Sequence, residues 1–275
     1  MIATISNATR DCGTYGYGTF EDNVRELARL NFQAEVAWQV EQGVLARHGL
    51  LRHSRVLDVA CGAGAMTCQI ATLLQRGSVL GVDLNESLLG EARERRTDSI
   101  ADKIAFRKGD VYRLKDIGQF DFAYARFLFQ HLERPIDALR SIGDALRPGG
   151  RVLVVDVDDR DLCCVPENDG FVRFLAEAAR GQKRGGGNRM IGRALPELLQ
   201  QAGYEEIRKE TVRFDSDSMG LDPFLELTTT FKLEQFAPSV RADAERWLSA
   251  VVAQLHRQRA RLQIDIHCVS GAVNA

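Results

Sequence analysis

The sequence predicts an α/β fold in which a mostly parallel sheet is covered by helices on both faces. Three observations carry this. Strand-like and helix-like patterns alternate between Arg55 and Val155, which is the signature of βα units. Val152-Leu153-Val154-Val155 is a continuous apolar run, as expected of a strand buried on both faces. Leu262–Val269 alternates strictly between apolar and polar residues, the period of a closing strand.

Taken in order, residues 11–18 hold three glycines and two tyrosines and read as an arm. Thr19 and Asp22 have capping-box spacing, and Phe20, Val24, Leu27, Leu30, Ala34 and Trp38 follow at mostly helical intervals. This predicts a helix to about Val40, with a break at Gly43. Arg55–Ala60 reads as a strand, and Met66, Ile70, Leu73 and Leu74 share one helical face. Ser78–Val82 is a strand; Asn85 caps a helix over Glu86–Arg96; Lys103–Lys108 and Phe120–Ala125 are strands. Pro135 opens a helix that ends before the Pro148-Gly149-Gly150 turn. Beyond Asp156, helices are expected over 168–181, Arg193–Ala202, 221–236 and 239–258, with a strand at Glu206–Phe214. The expected organisation is an arm and lid helix over 1–48 and a core over 49–275, with insertions at 163–190 and 217–258.

Composition narrows the function. Lys plus Arg is 36 and Asp plus Glu is 38, a net charge of −2, so there is no overall basic footprint for nucleic acid. No apolar run reaches the roughly 18–20 residues of a membrane span, and the first residues lack a basic start followed by an apolar stretch. A cytoplasmic protein is expected. Its six cysteines (Cys12, Cys61, Cys68, Cys163, Cys164 and Cys268) form no C-x-x-C pair and no zinc-finger spacing, so they read as reduced thiols with no metal site.

The chemistry is carried by Val56-Leu57-Asp58-Val59-Ala60-Cys61-Gly62-Ala63-Gly64, which joins the first strand to the first core helix. Gly62 and Gly64 let a backbone approach a ligand closely. Asp83 ends the second strand, where a carboxylate can accept both hydroxyl hydrogens of a ribose. Asp110 follows the third strand, where an adenine amino group could be held. Two details disfavour a dinucleotide: Thr67 stands where G-x-G-x-x-G needs its third glycine, and Asp58 would repel a pyrophosphate while suiting a ligand with an amino group. S-adenosylmethionine fits this pattern better than NAD or FAD.

With these residues, the chain resembles class I S-adenosylmethionine-dependent methyltransferases, in particular the ubiquinone/menaquinone-type and small-molecule (natural-product) branch. The resemblance covers about residues 50–215 and the last strand. Arg147-Pro148-Gly149-Gly150-Arg151-Val152-Leu153 is similar to that family's turn into strand five, and Ala60 departs from its usual glycine. The resemblance implies a Rossmann-like sheet of seven strands in the order 3-2-1-4-5-7-6, with strand seven antiparallel, under a helical lid. It also implies that Gly62 and Gly64, with Cys61 between the loop's strand and its glycines, pack against the methionine part and the ribose, and that Asp58 faces the amino group. Asp83 would hold the ribose, Leu84 would lie against the adenine, and Asp110 and Val111 would bind that ring. Ala125 and Arg126 would lie beside the methionyl end, with Arg126 pairing its carboxylate.

Tyr15 and Tyr17 are candidates to close over the cofactor, Tyr15 also near the reacting atoms, and His131 is a candidate base. Phe127, Phe129, Phe171, Phe174, Phe224 and Phe231 could form an aromatic pocket, while Arg189 reads as a solvated arginine, with contact to an anionic substrate group as the alternative. The leading expectation is methyl transfer to a small molecule in secondary-metabolite biosynthesis. An RNA or protein methyltransferase, a non-catalytic cofactor-binding protein and an NAD-dependent oxidoreductase are the competing readings. The partner expected is a small-molecule acceptor, with no nucleic acid and no membrane. The oligomeric state is open, since the N-terminal helix could pack on its own pocket or on a neighbour's in a homodimer.

Overall fold

The structure is a computed structural model and describes residues 14–15 and 23–274. Tyr17, Cys12 and the Thr19–Asp22 capping pattern lie outside the described residues. The core follows the alternation in the sequence: β1 (Arg55–Val59), α2 (Ala65–Leu73), β2 (Ser78–Asp83), α3 (Glu86–Glu94), β3 (Ile104–Lys108), β4 (Phe120–Arg126), α4 (Pro135–Asp144) and β5 (Leu146–Val157). Ahead of them runs α1 (Asn23–Arg47). After them come β6 (Cys163–Val165), α5 (Asp169–Arg184), α6 (Leu195–Gln201), β7 (Glu205–Asp215), α7 (Ser216–Met219), α8 (Leu221–Thr228), α9 (Pro238–Gln258) and β8 (Arg261–Ala272).

The sheet order is β3-β2-β1-β4-β5-β8, with β7 paired to the far edge of β8. β1 to β5 are parallel, and β8 is antiparallel to both β5 and β7. This is the expected order with one addition. The short β6 pairs Gln263, Leu262 and Arg261 of β8, and β5 takes Ile266–Ala272 along the same edge. Cys163 and Cys164 thus belong to an eighth strand, too short to leave a period in the sequence.

Successive residues of each central strand enter opposite cores. Val56, Phe122, Tyr124, Leu153 and Val155 pack with α1, α2 and the lid helices α5 and α9. Leu57, Val59, Ala123, Ala125, Val152 and Val154 pack with α4 and α6. A strand buried on both faces has no polar positions to spare, which explains the unbroken apolar runs.

Two expected helices have different limits. α1 runs through Gly43 to Arg47 because Glu41, Val44 and Leu45 are all buried there; tertiary contact outweighs the roughly 1 kcal/mol that a mid-helix glycine costs. The expected helix over 221–236 breaks at Thr229 (φ −129°, ψ −46°) and resumes as a 3-10 stretch, Thr230–Gln235. That break turns Phe231 and Lys232 inward. Among the described residues, no helix is long and apolar enough to cross a membrane.

The lid helices are held by one buried asparagine. Asn168 caps α5, accepting from Phe171 N–H at 2.9 Å, and its Nδ2 donates to Gln258 Oε1 of α9 at 3.2 Å. Asn168→Ala removes the cap and the cross-link together, and chemical denaturation is expected to show a loss of about 1–2 kcal/mol.

Candidate active site

Register sets the site. Val59 pairs with Val82 on one side and Ala125 on the other, so Ala60, Asp83 and Arg126 leave the sheet at one level. The chain turns outward in both directions from β1 and β4, which is the switch point where open α/β sheets bind ligands. A cavity of about 650 Å³ lies there, lined by Asp58, Cys61, Gly62, Asp83, Leu84, Asp110, Val111 and Arg126 among others. Tyr15 and His131 close its other side.

Three carboxylates line the cavity at the ends of β1, β2 and β3, while Arg29 and Arg126 line its opposite side. Asp58 is buried, and its Oδ2 accepts from Thr67 Oγ1 at 2.5 Å; burial pushes its pKa up to about 7. Thr67, read in the sequence as a missing glycine, is therefore the residue that orients Asp58. Asp83 accepts from the N–H groups of Gly62 and Asn85, both at 2.8 Å, which ties the glycine loop to the end of β2. Burial raises its pKa against those hydrogen bonds. Asp110 accepts from Tyr112 N–H at 2.9 Å and so holds the turn carrying Val111. An acid-lined cavity favours a ligand bearing an ammonium and a sulfonium over one bearing a pyrophosphate.

The two glycines do different work. A Cβ on Gly62 (φ +55°) would meet nothing within 4 Å, so this residue leaves the cavity open. A Cβ on Gly64 (φ +73°) would lie 2.8 Å from both Ala92 Cβ and Phe106 Cζ. Gly64 thus packs the loop against α3 and β3 and does not face the cavity as expected. Ala60 also sits at positive φ (+57°), the conformation for which glycine is suited. Cys61 lines the cavity, with its thiol pKa raised by burial. Ala125 does not line it, being fully buried in the core beneath α4.

Arg126 is engaged differently from the expectation. Its Nε donates to Glu41 Oε1 at 3.0 Å and its Nη1 to Gln33 Oε1 at 3.4 Å. Tyr124 Oη donates to the other oxygen of Glu41 at 2.5 Å. Its partner is thus a carboxylate of α1, in place of the free carboxylate of a ligand. Beyond Arg126 lies a second, apolar chamber of about 70 Å³, lined by Val36, Met219, Phe224, Leu227, Ile264 and Ile266 among others. Gln33, Arg126, Phe127, Gln130 and Phe231 border both spaces. Phe127, Phe224 and Phe231 belong to this chamber, whereas Phe129, Phe171 and Phe174 are fully buried core residues.

His131 and Tyr15 lie together, with ring centroids 5.5 Å apart. Thr14 Oγ1 lies 2.8 Å and Gln182 Nε2 3.3 Å from His131 Nδ1, so Nδ1 accepts and the proton sits on Nε2. Burial, with Arg189 and Arg29 nearby, lowers the His131 pKa to about 3, which makes it a weak base. Thr14 N–H also donates to His131 O at 3.1 Å. Tyr15 Oη donates to Glu26 Oε1 at 2.7 Å, and burial beside that carboxylate raises its pKa. These contacts pin residues 14–15 over the cavity mouth.

Two measurements follow. Ala60→Gly relieves the left-handed strain and is expected to raise unfolding stability by up to about 1 kcal/mol, whereas Gly64→Ala is expected to lower it by about 1–3 kcal/mol through overpacking. His131 stays neutral when folded but takes up a proton below pH 6.5 when unfolded, so it lowers stability as pH falls from 6.5 towards about 3. Asp58 and Asp156, both raised to about 7, act oppositely between about 7 and 3.8. The difference between native protein and His131→Asn isolates the histidine: the variant should lose less stability over that acid range, by up to about 1.4 kcal/mol per pH unit.

Comparison with known proteins agrees with this geometry. Residues 56–150 match the family described as methyltransferase domain. The ubiquinone/menaquinone biosynthesis C-methyltransferase UbiE of Azotobacter vinelandii is 38% identical over 39% of this chain and 44% of that protein. The trans-aconitate 2-methyltransferase of Deinococcus radiodurans is 26% identical over 75% of this chain and 80% of that protein. The chain spans about half the length of the first curated relatives it matches. Among solved structures, Haemonchus contortus phosphoethanolamine N-methyltransferase 2 in complex with S-adenosyl-L-methionine has a TM-score of 0.55 at 19% identity, covering 86% of this chain and 53% of that one. With its sheet order, its acid-lined switch-point cavity and its match over residues 56–150, the chain carries a class I S-adenosylmethionine-dependent methyltransferase domain.

Proposed function

We propose that this chain transfers the methyl group of S-adenosylmethionine to a small-molecule acceptor by direct displacement, in secondary-metabolite biosynthesis in the cytoplasm. The observation that carries the reading is the pairing of spaces: an acid-lined cavity of about 650 Å³ meets an apolar chamber of about 70 Å³ across one shared wall. One space suits a cationic cofactor and the other a small acceptor. Relatives named for trans-aconitate and for ubiquinone/menaquinone biosynthesis support a small acceptor.

The cofactor supplies an activated methyl group on a sulfonium. The chain's own residues bind, orient and exclude water. Asp83 would hold the ribose hydroxyls, Asp58 the amino group, and Asp110 with Val111 the adenine. The Arg126–Glu41–Tyr124 cluster fixes the wall through which the two spaces meet. Alignment of acceptor and methyl across that wall supplies the entropic part of the rate enhancement. The chamber lining holds no ionised carboxylate and no histidine among the described residues, so an acceptor atom already nucleophilic at neutral pH suits it best.

Calorimetric titration with S-adenosylmethionine and its demethylated product tests the reading. Saturable binding is expected, weakened by about tenfold or more (1.4 kcal/mol) in Asp83→Asn. Binding that is absent, or unchanged in the variant of equal thermal stability, would remove the proposed site.

A further inference from the structure

Behind the shared wall, three buried cations gather around one aromatic ring. The Arg29 guanidinium lies 4.6 Å, the Arg189 guanidinium 5.3 Å and the Lys232 ammonium 5.8 Å from the Phe231 ring centroid. Their exposures are 7%, 5% and 1%, far below what charged side chains tolerate without partners. Two carboxylates answer them. Glu26 makes two hydrogen bonds of 2.7 Å to Arg29. Asp159 takes both Arg189, at 3.0 and 2.8 Å, and Lys232, at 2.6 Å. Three cations against two anions leave one positive charge over.

The neighbouring acids do not cancel it. Asp156 accepts from the backbone N–H groups of Gln130 and Val157, and burial pushes its carboxyl up to about 7, so near neutral pH it offsets that charge only in part. Glu41 is matched by Arg126. A second, independent observation marks where the missing anion belongs: Nη1 of Arg29 is buried and has no hydrogen-bond partner among the described residues. Arg29 lines the larger cavity, Arg189 the smaller, and Phe231 borders both. The excess charge and the orphaned donor therefore flank the same junction.

We infer that the acceptor is a small carboxylic acid whose carboxylate is bound at this junction by Arg29 and Arg189, with its apolar body in the chamber lined by Val36, Phe224, Leu227 and Ile264; Lys232 lines neither space and adds its charge from behind, through Asp159. This inference rests on the proposed methyl transfer for the word acceptor, but not for the carboxylate site itself. An organic carboxylate satisfies the guanidinium donors with charge-assisted hydrogen bonds and neutralises the surplus, while the aliphatic and aromatic lining excludes a heavily hydrated ion.

The test titrates the full chain, with and without S-adenosylhomocysteine, against benzoate, phenylacetate and hexanoate and against their primary amides. Saturation-transfer NMR and calorimetry read the affinities. At least one acid is expected to bind about tenfold or more tightly than its amide, and Lys232→Met and Arg29→Gln to erase that preference. Lys232 does not line the larger cavity, so S-adenosylhomocysteine affinity in Lys232→Met should be unchanged. Equal binding of acids and amides, no binding of any acid at millimolar concentration, or an acid preference that survives both variants overturns the inference. The acid-to-amide ratio is read on the unaltered protein and so does not depend on either variant folding. Acid preference without S-adenosylhomocysteine binding would sink the methyltransferase reading and leave the carboxylate site standing.

Discussion

The buried carboxylate of Glu41 is the interaction on which the rest of the site depends. It takes the Tyr124 hydroxyl and the Arg126 guanidinium from the end of β4 and holds both against α1. Without it, Arg126 would be an uncompensated buried charge, a situation that costs about 3–5 kcal/mol when one partner of such a pair is removed. Because Arg126 borders both spaces, the same contact positions α1 over the sheet and builds the partition between them. Fold stability and site geometry are coupled through one acid.

The interior is divided by charge. On the β1–β2 side the lining is acidic, and burial raises Asp58 to a pKa of about 7. A bound ammonium would draw that proton off and convert a desolvation cost into an ion pair. On the lid side the balance is reversed, since Arg189 and Lys232 converge on Asp159 and hold its carboxyl well below the usual range. Displacement at a sulfonium consumes positive charge as the acceptor attacks. On the proposed reading, an acid-lined cofactor side and a cation-lined acceptor end would keep the two reactants apart in sign and bring them together at one boundary.

Much of this was legible in the sequence where the signal is local. The strands announce themselves as apolar runs, and Asp58, Gly62, Asp83 and Asp110 sit at strand ends that the runs locate. What was not legible depends on distance along the chain. Glu41 and Arg126 are separated by 85 positions, and Asp159 and Lys232 by 73. Nothing in the neighbourhood of Arg189 marks it as buried; its partners Asp159 and Gln130 lie 30 and 59 positions away, just beyond the ends of core strands. Gly64 carries the same letter as Gly62 but faces Phe106, a contact that only the packing of β3 reveals. The lid break at Thr229 does have a local signal, the β-branched run Thr228-Thr229-Thr230, which the helical spacing of the apolar residues around it masks.

The most direct test of the two-space account is a crystal structure of the chain with S-adenosylhomocysteine. The account predicts the ribose at Asp83, the amino group near Asp58, and the thioether sulfur facing the wall formed by Arg126 and Phe127, with the apolar chamber beyond it. A ligand whose sulfur points away from that wall, or one bound outside the cavity at the ends of β1, β2 and β4, would contradict it.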